Sequence, residues 1–239
     1  MTFVFDPPPC PSVAVAGEGV RFPVRRIFCV GRNYAKHALE MGSDPDRQPP
    51  FFFSKPADAV VDAGVGHDAR IAYPPQTDNF HHEVELAVAL GRGGADISTA
   101  DALDHVFGYA VALDLTRRDL QKAAREKGHP WDFGKAFDRS APIAPLHRAA
   151  DMGHPAAGRI WLRVDDEVRQ DADLGELIWP VPDVISILSR SMTLAPGDLI
   201  LTGTPAGVGP LLPGHTVRGG IEGLEDLELQ VTERGSPSA

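Results

Sequence analysis

The chain has 239 residues, 43% of them hydrophobic, enough for one large domain or two small ones around a substantial core. Its formal net charge of −10 argues against nucleic acid, whose phosphates are bound by clustered Lys and Arg, and means that an anionic ligand needs a local basic pocket. No apolar run approaches the ~18–20 residues of a bilayer span, and the start, MTFVFDPPPCP, lacks the basic and apolar regions of a secretory signal.

Two cysteines, Cys10 and Cys29, make no disulfide framework, so a reducing cytoplasm is expected. Residues 1–22 are rich in Pro, Val and Gly and read as an extended arm; residues 23–239 read as one domain. RIFCVG (26–31) is a short strand, and NYAKHALEM (33–41) a short helix closed by Gly42. On that helix His37 and Glu40 form an i, i+3 pair. A carboxylate that accepts one imidazole N–H fixes the tautomer and raises the basicity of the other nitrogen, as deprotonation of a water requires. Such pairs are also frequent on exposed helices without any role. The polar, Pro-rich segment 43–50 reads as a mobile loop, and 51–53 leads into Ser54-Lys55-Pro56.

HEVELAVALG (82–91) reads as a strand with Val84, Leu86, Val88 and Leu90 on one face and Glu83, Glu85, Ala87 and Ala89 on the other. Two carboxylates held that close repel unless a cation lies between them. A hard cation such as Mg²⁺ takes oxygen ligands and keeps waters that a substrate can replace. Asp114, at the end of the next strand (107–115), is the natural third ligand. Glu-x-Glu is also common on a solvated strand edge, although Ala87 and Ala89 on the same face weigh against that. His81 and His82 offer too few ligands for zinc, and no His-Glu-x-x-His occurs.

A helix follows, with Thr116 as N-cap and Gly128 past its end. Arg118 and Gln121, four and seven residues beyond Asp114, share one of its faces and point from the acidic cluster toward whatever it holds, unless they simply lie on the solvated side of the helix. Lys135, among aromatics in WDFGKAF, either snorkels or is placed to meet an anion. Beyond Trp161 come short β-like runs interrupted by one helix near 181–191. In LTGTPAGVGP (201–210), the turn at Gly203 and Thr204 can present an N–H and a hydroxyl to a carboxylate, or serve only as a tight turn. It lacks the Gly-Lys-Ser/Thr of a nucleotide loop. The pattern is α+β and strand-rich, without βαβ alternation.

CVGRNYAKHALEMG, FFFSKP, HHEVELAVALG, GYAVALDLTRRDLQ, GHPWDFGKAFD and GDLILTGTPAGVG, in that order, resemble the fumarylacetoacetate hydrolase family. Within it the short chain looks most like the bacterial branch of acylpyruvases and fumarylpyruvate hydrolases. The resemblance implies a mixed β-sandwich roll, a homodimer, and Mg²⁺ or Mn²⁺ held by Glu83, Glu85 and Asp114. It also implies a His37–Glu40 dyad on a lid, and Lys135 facing a developing enolate. Arg118, Gln121, Lys55 and Thr204, with Gly203, would contact substrate oxygens, and Arg32, Lys36 and Arg47 are the cations available to a distal carboxylate. The expected reaction is hydrolysis of the C–C bond of an acylpyruvate, a small 2-oxo acid. The alternatives are a decarboxylase or isomerase of an oxaloacetate or hydroxymuconate type, which need the enolate but no attacking water, and a non-catalytic binder of dicarboxylates.

Overall fold

The structure, a computed structural model, describes residues 2–40 and 49–235. Among these residues the largest unit is an eight-stranded mixed sheet. Its main path runs Phe51–Lys55, Arg26–Gly31, Asp198–Leu201, Val84–Leu90, Val106–Leu113, Ala141–Ile143 and Val60–Asp62. A five-stranded sheet, in the order Glu167–Asp173, Arg159–Val164, Thr216–Ile221, Leu227–Thr232 and Arg70–Ala72, packs against it. This is the α+β sandwich roll that the sequence predicts.

The alternation in the strand Val84–Leu90 explains the layering. Val84, Leu86, Val88 and Leu90 enter a core shared with Ile160, Leu162, Val217 and Leu229 of the second sheet. Ala87 and Ala89 face the other way, into a smaller core with Ile27, Cys29, Leu199 and Leu201. Both faces are buried, so a solvated edge for this strand is excluded. The expected arm 1–22 is more than an arm from residue 12 onward. Ser12–Ala14 pairs with Arg21–Pro23, and Val13, Val15 and Phe22 cap the alanine side of the sheet.

Several boundaries differ from the sequence reading, each for a local reason. The predicted strand 82–91 is two elements: Phe80–His82 pairs with Thr116–Arg117 in a small separate sheet, and Val84–Leu90 belongs to the large one. Glu83 sits at the break between them. The next strand ends at Leu113, so Asp114 lies just past it. Thr116 is not the helix N-cap. Arg117 takes that position without a side-chain bond, and helix Arg118–Glu126 begins after it, because the Thr116 hydroxyl is committed to the acidic cluster. The first helix is observed as Ala35–Glu40. Met41, Gly42 and residues 43–48 of the loop expected at 43–50, Arg47 among them, lie outside the described residues. Helix Val181–Ser191 agrees with its prediction. No helix among the described residues is long and apolar enough to cross a membrane.

Candidate active site

The antiparallel register of the two central strands builds the acidic cluster. Val84 lies opposite Leu113 and Glu85 opposite Ala112, so the start of one strand meets the end of the other, and the Asp114 amide donates to the Glu83 carbonyl at 2.9 Å. Glu83, Glu85 and Asp114 are buried, with ligand oxygens all within 4.8 Å of one another.

Three cations face these carboxylates. Lys135 Nζ lies 2.8 Å from Glu83 Oε2 and 2.6 Å from Asp114 Oδ2, and donates to the Thr116 hydroxyl at 2.6 Å. Helix Asp132–Lys135 delivers it, its last turn closed by the Lys135 amide on the Trp131 carbonyl. Lys55 Nζ lies 2.8 Å from Asp114 Oδ1. Arg118 donates to Glu83 Oε1, and to Gln121 Oε1 at 2.5 Å. Burial alone would raise the Glu83 pKa, but Lys135 and Arg118 beside it hold the carboxyl below its ordinary range. Burial opposes the Lys135 charge, yet Asp114 and Glu83 raise its pKa overall, so it remains an ammonium.

Glu85 differs. Burial, then the charges of Asp114 and Glu83, push its carboxyl well above the usual range, and the Gly203 N–H, at 2.7 Å, does not compensate. A dense all-oxygen set of this kind fits a hard divalent cation. A cation bound there would favour the charged form of Glu85 that burial and its neighbours disfavour. Gly203 can make its contact because it adopts φ +97°, and a Cβ would fall 2.7 Å from Asn33 Cβ.

His37, nearly buried, holds Glu40 Oε2 through Nδ1 at 3.2 Å. Burial lowers its pKa, outweighing the nearby Glu83 and Glu40 charges, so the ring is neutral and leaves Nε2 for a proton transfer. His81 is also neutral, its pKa lowered to about 4 by burial and by Arg118. It accepts Arg118 Nε at 3.5 Å and binds Asn79 Oδ1 at 2.7 Å, a structural histidine that aims the arginine.

These groups border one cavity of about 380 Å³. His37, Glu40, Lys135, Arg118, Gln121 and Arg32 line it together with Glu83 and Asp114. Lys55, Thr204 and Gly203, expected at substrate oxygens, are not among the residues that line this cavity, and their polar atoms bond within the protein. Lys55 also donates to the Leu115 and Lys135 carbonyls, Thr204 accepts from Gln170 at 2.7 Å, and Gly203 serves Glu85. Lys36 pairs with Glu176 at 3.0 Å and is turned from the cavity.

The sequence reading missed Lys122 and Arg125, which line the same cavity. Extending the Arg118–Gln121 spacing by one more turn would have found both. It also missed Trp131, whose ring packs edge-on to Phe51 at 5.4 Å, and Gln170, whose amide bridges His82 to Thr204 and Pro205. Neither follows from local spacing, because each contact crosses between distant segments.

Residues 26–232 match the family model described as fumarylacetoacetate (FAA) hydrolase C-terminal. The fold superposes with a TM-score of 0.96 on fumarylpyruvate hydrolase from Pseudomonas aeruginosa, solved with Mn²⁺ and pyruvate; the two are 53% identical, over 98% of this chain and 100% of that one. A mitochondrial oxaloacetate tautomerase of Oryza sativa is 43% identical over 222 residues, 93% of this chain and 97% of its own. An oxaloacetate decarboxylase of Dictyostelium discoideum is 41% identical over 214 residues, 88% and 95% of the two chains.

Proposed function

The chain belongs to the fumarylacetoacetate hydrolase family, and on that premise we propose that it hydrolyses the C–C bond of an acylpyruvate, giving pyruvate and fumarate from fumarylpyruvate. The observation that carries this reading is a neutral His37, held by Glu40, in the same cavity as the Glu83–Asp114 carboxylates and the Lys135 ammonium. A simple binder has no use for a positioned base beside an enolate-stabilising cation.

Glu83, Glu85 and Asp114 would hold Mg²⁺ or Mn²⁺, which when bound supplies Lewis-acid charge to the 2-oxo acid end of the substrate. His37 takes a proton at Nε2 from water, and the resulting hydroxide attacks the C4 carbonyl. Glu40 fixes the tautomer that leaves Nε2 free and stabilises the imidazolium. The C3–C4 bond then breaks, its electron pair passes to C3 as the enolate of pyruvate, and the Lys135 ammonium faces the developing charge. The proton taken from water ends on C3, so water is divided between the two products. Lys55 fixes Asp114 from behind, and Arg118 and Gln121 border the substrate end next to the cluster.

The oxaloacetate tautomerase and decarboxylase relatives favour a second reading: proton transfer at C3, or loss of carbon dioxide, on a four-carbon diacid. Both pass through an enolate and use no attacking water. Supplying fumarylpyruvate, acetylpyruvate and oxaloacetate to the protein with Mg²⁺ or Mn²⁺ separates the two. The hydrolase reading expects pyruvate and fumarate from the first at the highest kcat/KM. The homodimer expected of the family belongs to the same proposal, and light scattering in solution tests it.

A further inference from the structure

Helix Arg118–Glu126 presents Arg118, Gln121, Lys122 and Arg125 to the cavity at i, i+3, i+4 and i+7, a single stripe. The stripe grades in character: Arg118 and Gln121 are buried beside the acidic cluster, whereas Lys122 and Arg125 are exposed at the mouth. Arg118 is neutralised by Glu83. Lys122 leans toward Glu126 at 3.9 Å. Among the described residues Arg125 has no carboxylate partner. Two turns of helix, roughly 10 Å of rise, separate it from Arg118.

Arg32 lines the same cavity. It is a non-glycine residue at φ +62°, a conformation that costs energy and persists where surrounding structure enforces it. The next residue supplies the enforcement: Asn33 is fully buried and gives its side-chain amide to the Trp179 and Thr202 carbonyls while accepting the Trp179 amide. Held in that turn, the Arg32 guanidinium lies 5.5 Å over the Phe51 ring and has no carboxylate partner among the described residues. Burial and then the Arg125 charge lower its pKa, so the two guanidiniums, both on the cavity wall, lie near enough to repel each other. Like charges set in one cleft of an acidic protein are costly unless a ligand anion joins them.

We propose that Arg125 and Arg32 form the subsite for the distal carboxylate of an extended 2-oxo diacid, with Arg125 the residue that selects a dianionic acyl chain over a neutral one. The subsite rests on the hydrolase reading for the identity of the substrate, but not for the charge selection itself. Oxaloacetate, with four carbons, spans less than the roughly 10 Å of helix rise between Arg118 and Arg125. A guanidinium pair there discriminates by length as well as charge, since its fork meets a carboxylate two-pronged.

Calorimetric binding of 2-oxoadipate and 2-oxohexanoate in the presence of Mn²⁺ tests this, because the two differ only by the terminal carboxylate and neither carries the scissile ketone. Wild-type protein should prefer the diacid. Arg125→Gln should lower that preference about tenfold, the weight of one exposed charge-assisted hydrogen bond, and Arg125→Lys should restore part of it. Arg125 is exposed, so these variants fold. An unchanged preference in Arg125→Gln, or an equal loss for both ligands, overturns the subsite. Selective diacid binding by a protein that cleaves no acylpyruvate supports the subsite and removes the hydrolase reading; acylpyruvate cleavage without diacid preference does the reverse.

Discussion

The Gly207 amide donates to the Glu40 carboxylate, 3.2 Å from Oε2, so a loop remote in sequence holds the residue that orients His37. Gly207 occupies φ +96°, and a Cβ there would stand 2.0 Å from the Arg169 carbonyl. Gly207→Ala should therefore shift this loop, cost about 1–2 kcal/mol from the backbone conformation alone, and lower kcat while Mn²⁺ still binds. Thermal denaturation, turnover and calorimetry read the three effects, and an unaltered kcat would remove Gly207 from the support of the dyad.

In the proposed mechanism His37 must be neutral to accept a proton, and burial sets its pKa below the ordinary 6.5. Activity should hold as pH falls to 6.5 and decline only as pH passes through the lowered pKa. Glu40 raises that pKa through its bond and charge, so Glu40→Gln should move the acid limb further down while reducing the maximum rate. A kcat/KM profile over pH 4–8 checks this; an acid limb centred above 6.5 would contradict it.

Lys55 and Asp114 form a pair in which both side chains are buried. Lys55→Met leaves Asp114 short of a cation and two carbonyls short of a donor, which should cost about 3–5 kcal/mol of stability. Added Mn²⁺ should recover part of this in a thermal melt. A variant of unchanged stability with a raised KM would instead return Lys55 to direct substrate contact.

Glu85→Gln replaces a carboxyl whose charge burial and the neighbouring Asp114 and Glu83 disfavour, so the folded protein should be retained. Metal affinity should fall by more than the roughly 10–100-fold that changes to supporting residues cost. Titration with Mn²⁺ followed by paramagnetic resonance measures this, and unchanged affinity would exclude Glu85 as a ligand.

Much of this site was legible because it is written in short-range spacing. Glu83 and Glu85 are two apart on an extended segment, and the apolar alternation through Leu90 fixes which way they point. His37 and Glu40 are three apart, and Arg118 and Gln121 likewise. What escaped depends on contacts between distant segments: Gly207 on Glu40, Gln170 under Thr204, and Lys55 behind Asp114. The FFFSKP motif marks the presence of Lys55 but not the direction of its amine, which meets Asp114. The Ser12–Ala14 hairpin was hidden for a similar reason. A Pro-rich composition predicts extended chain, and only the alanine face of the large sheet, which would otherwise lie open, calls for Val13 and Phe22 to cover it.

The most direct measurement is product formation from fumarylpyruvate by wild type and His37→Ala in Mg²⁺ or Mn²⁺, with and without excess chelator. Wild type should yield equal amounts of pyruvate and fumarate, chelator should abolish the reaction, and His37→Ala should lose about 10²–10⁴-fold in rate, while any side activity on oxaloacetate should fall less. Turnover of oxaloacetate with no fumarate from fumarylpyruvate, or full cleavage by His37→Ala, would contradict hydrolysis by an activated water.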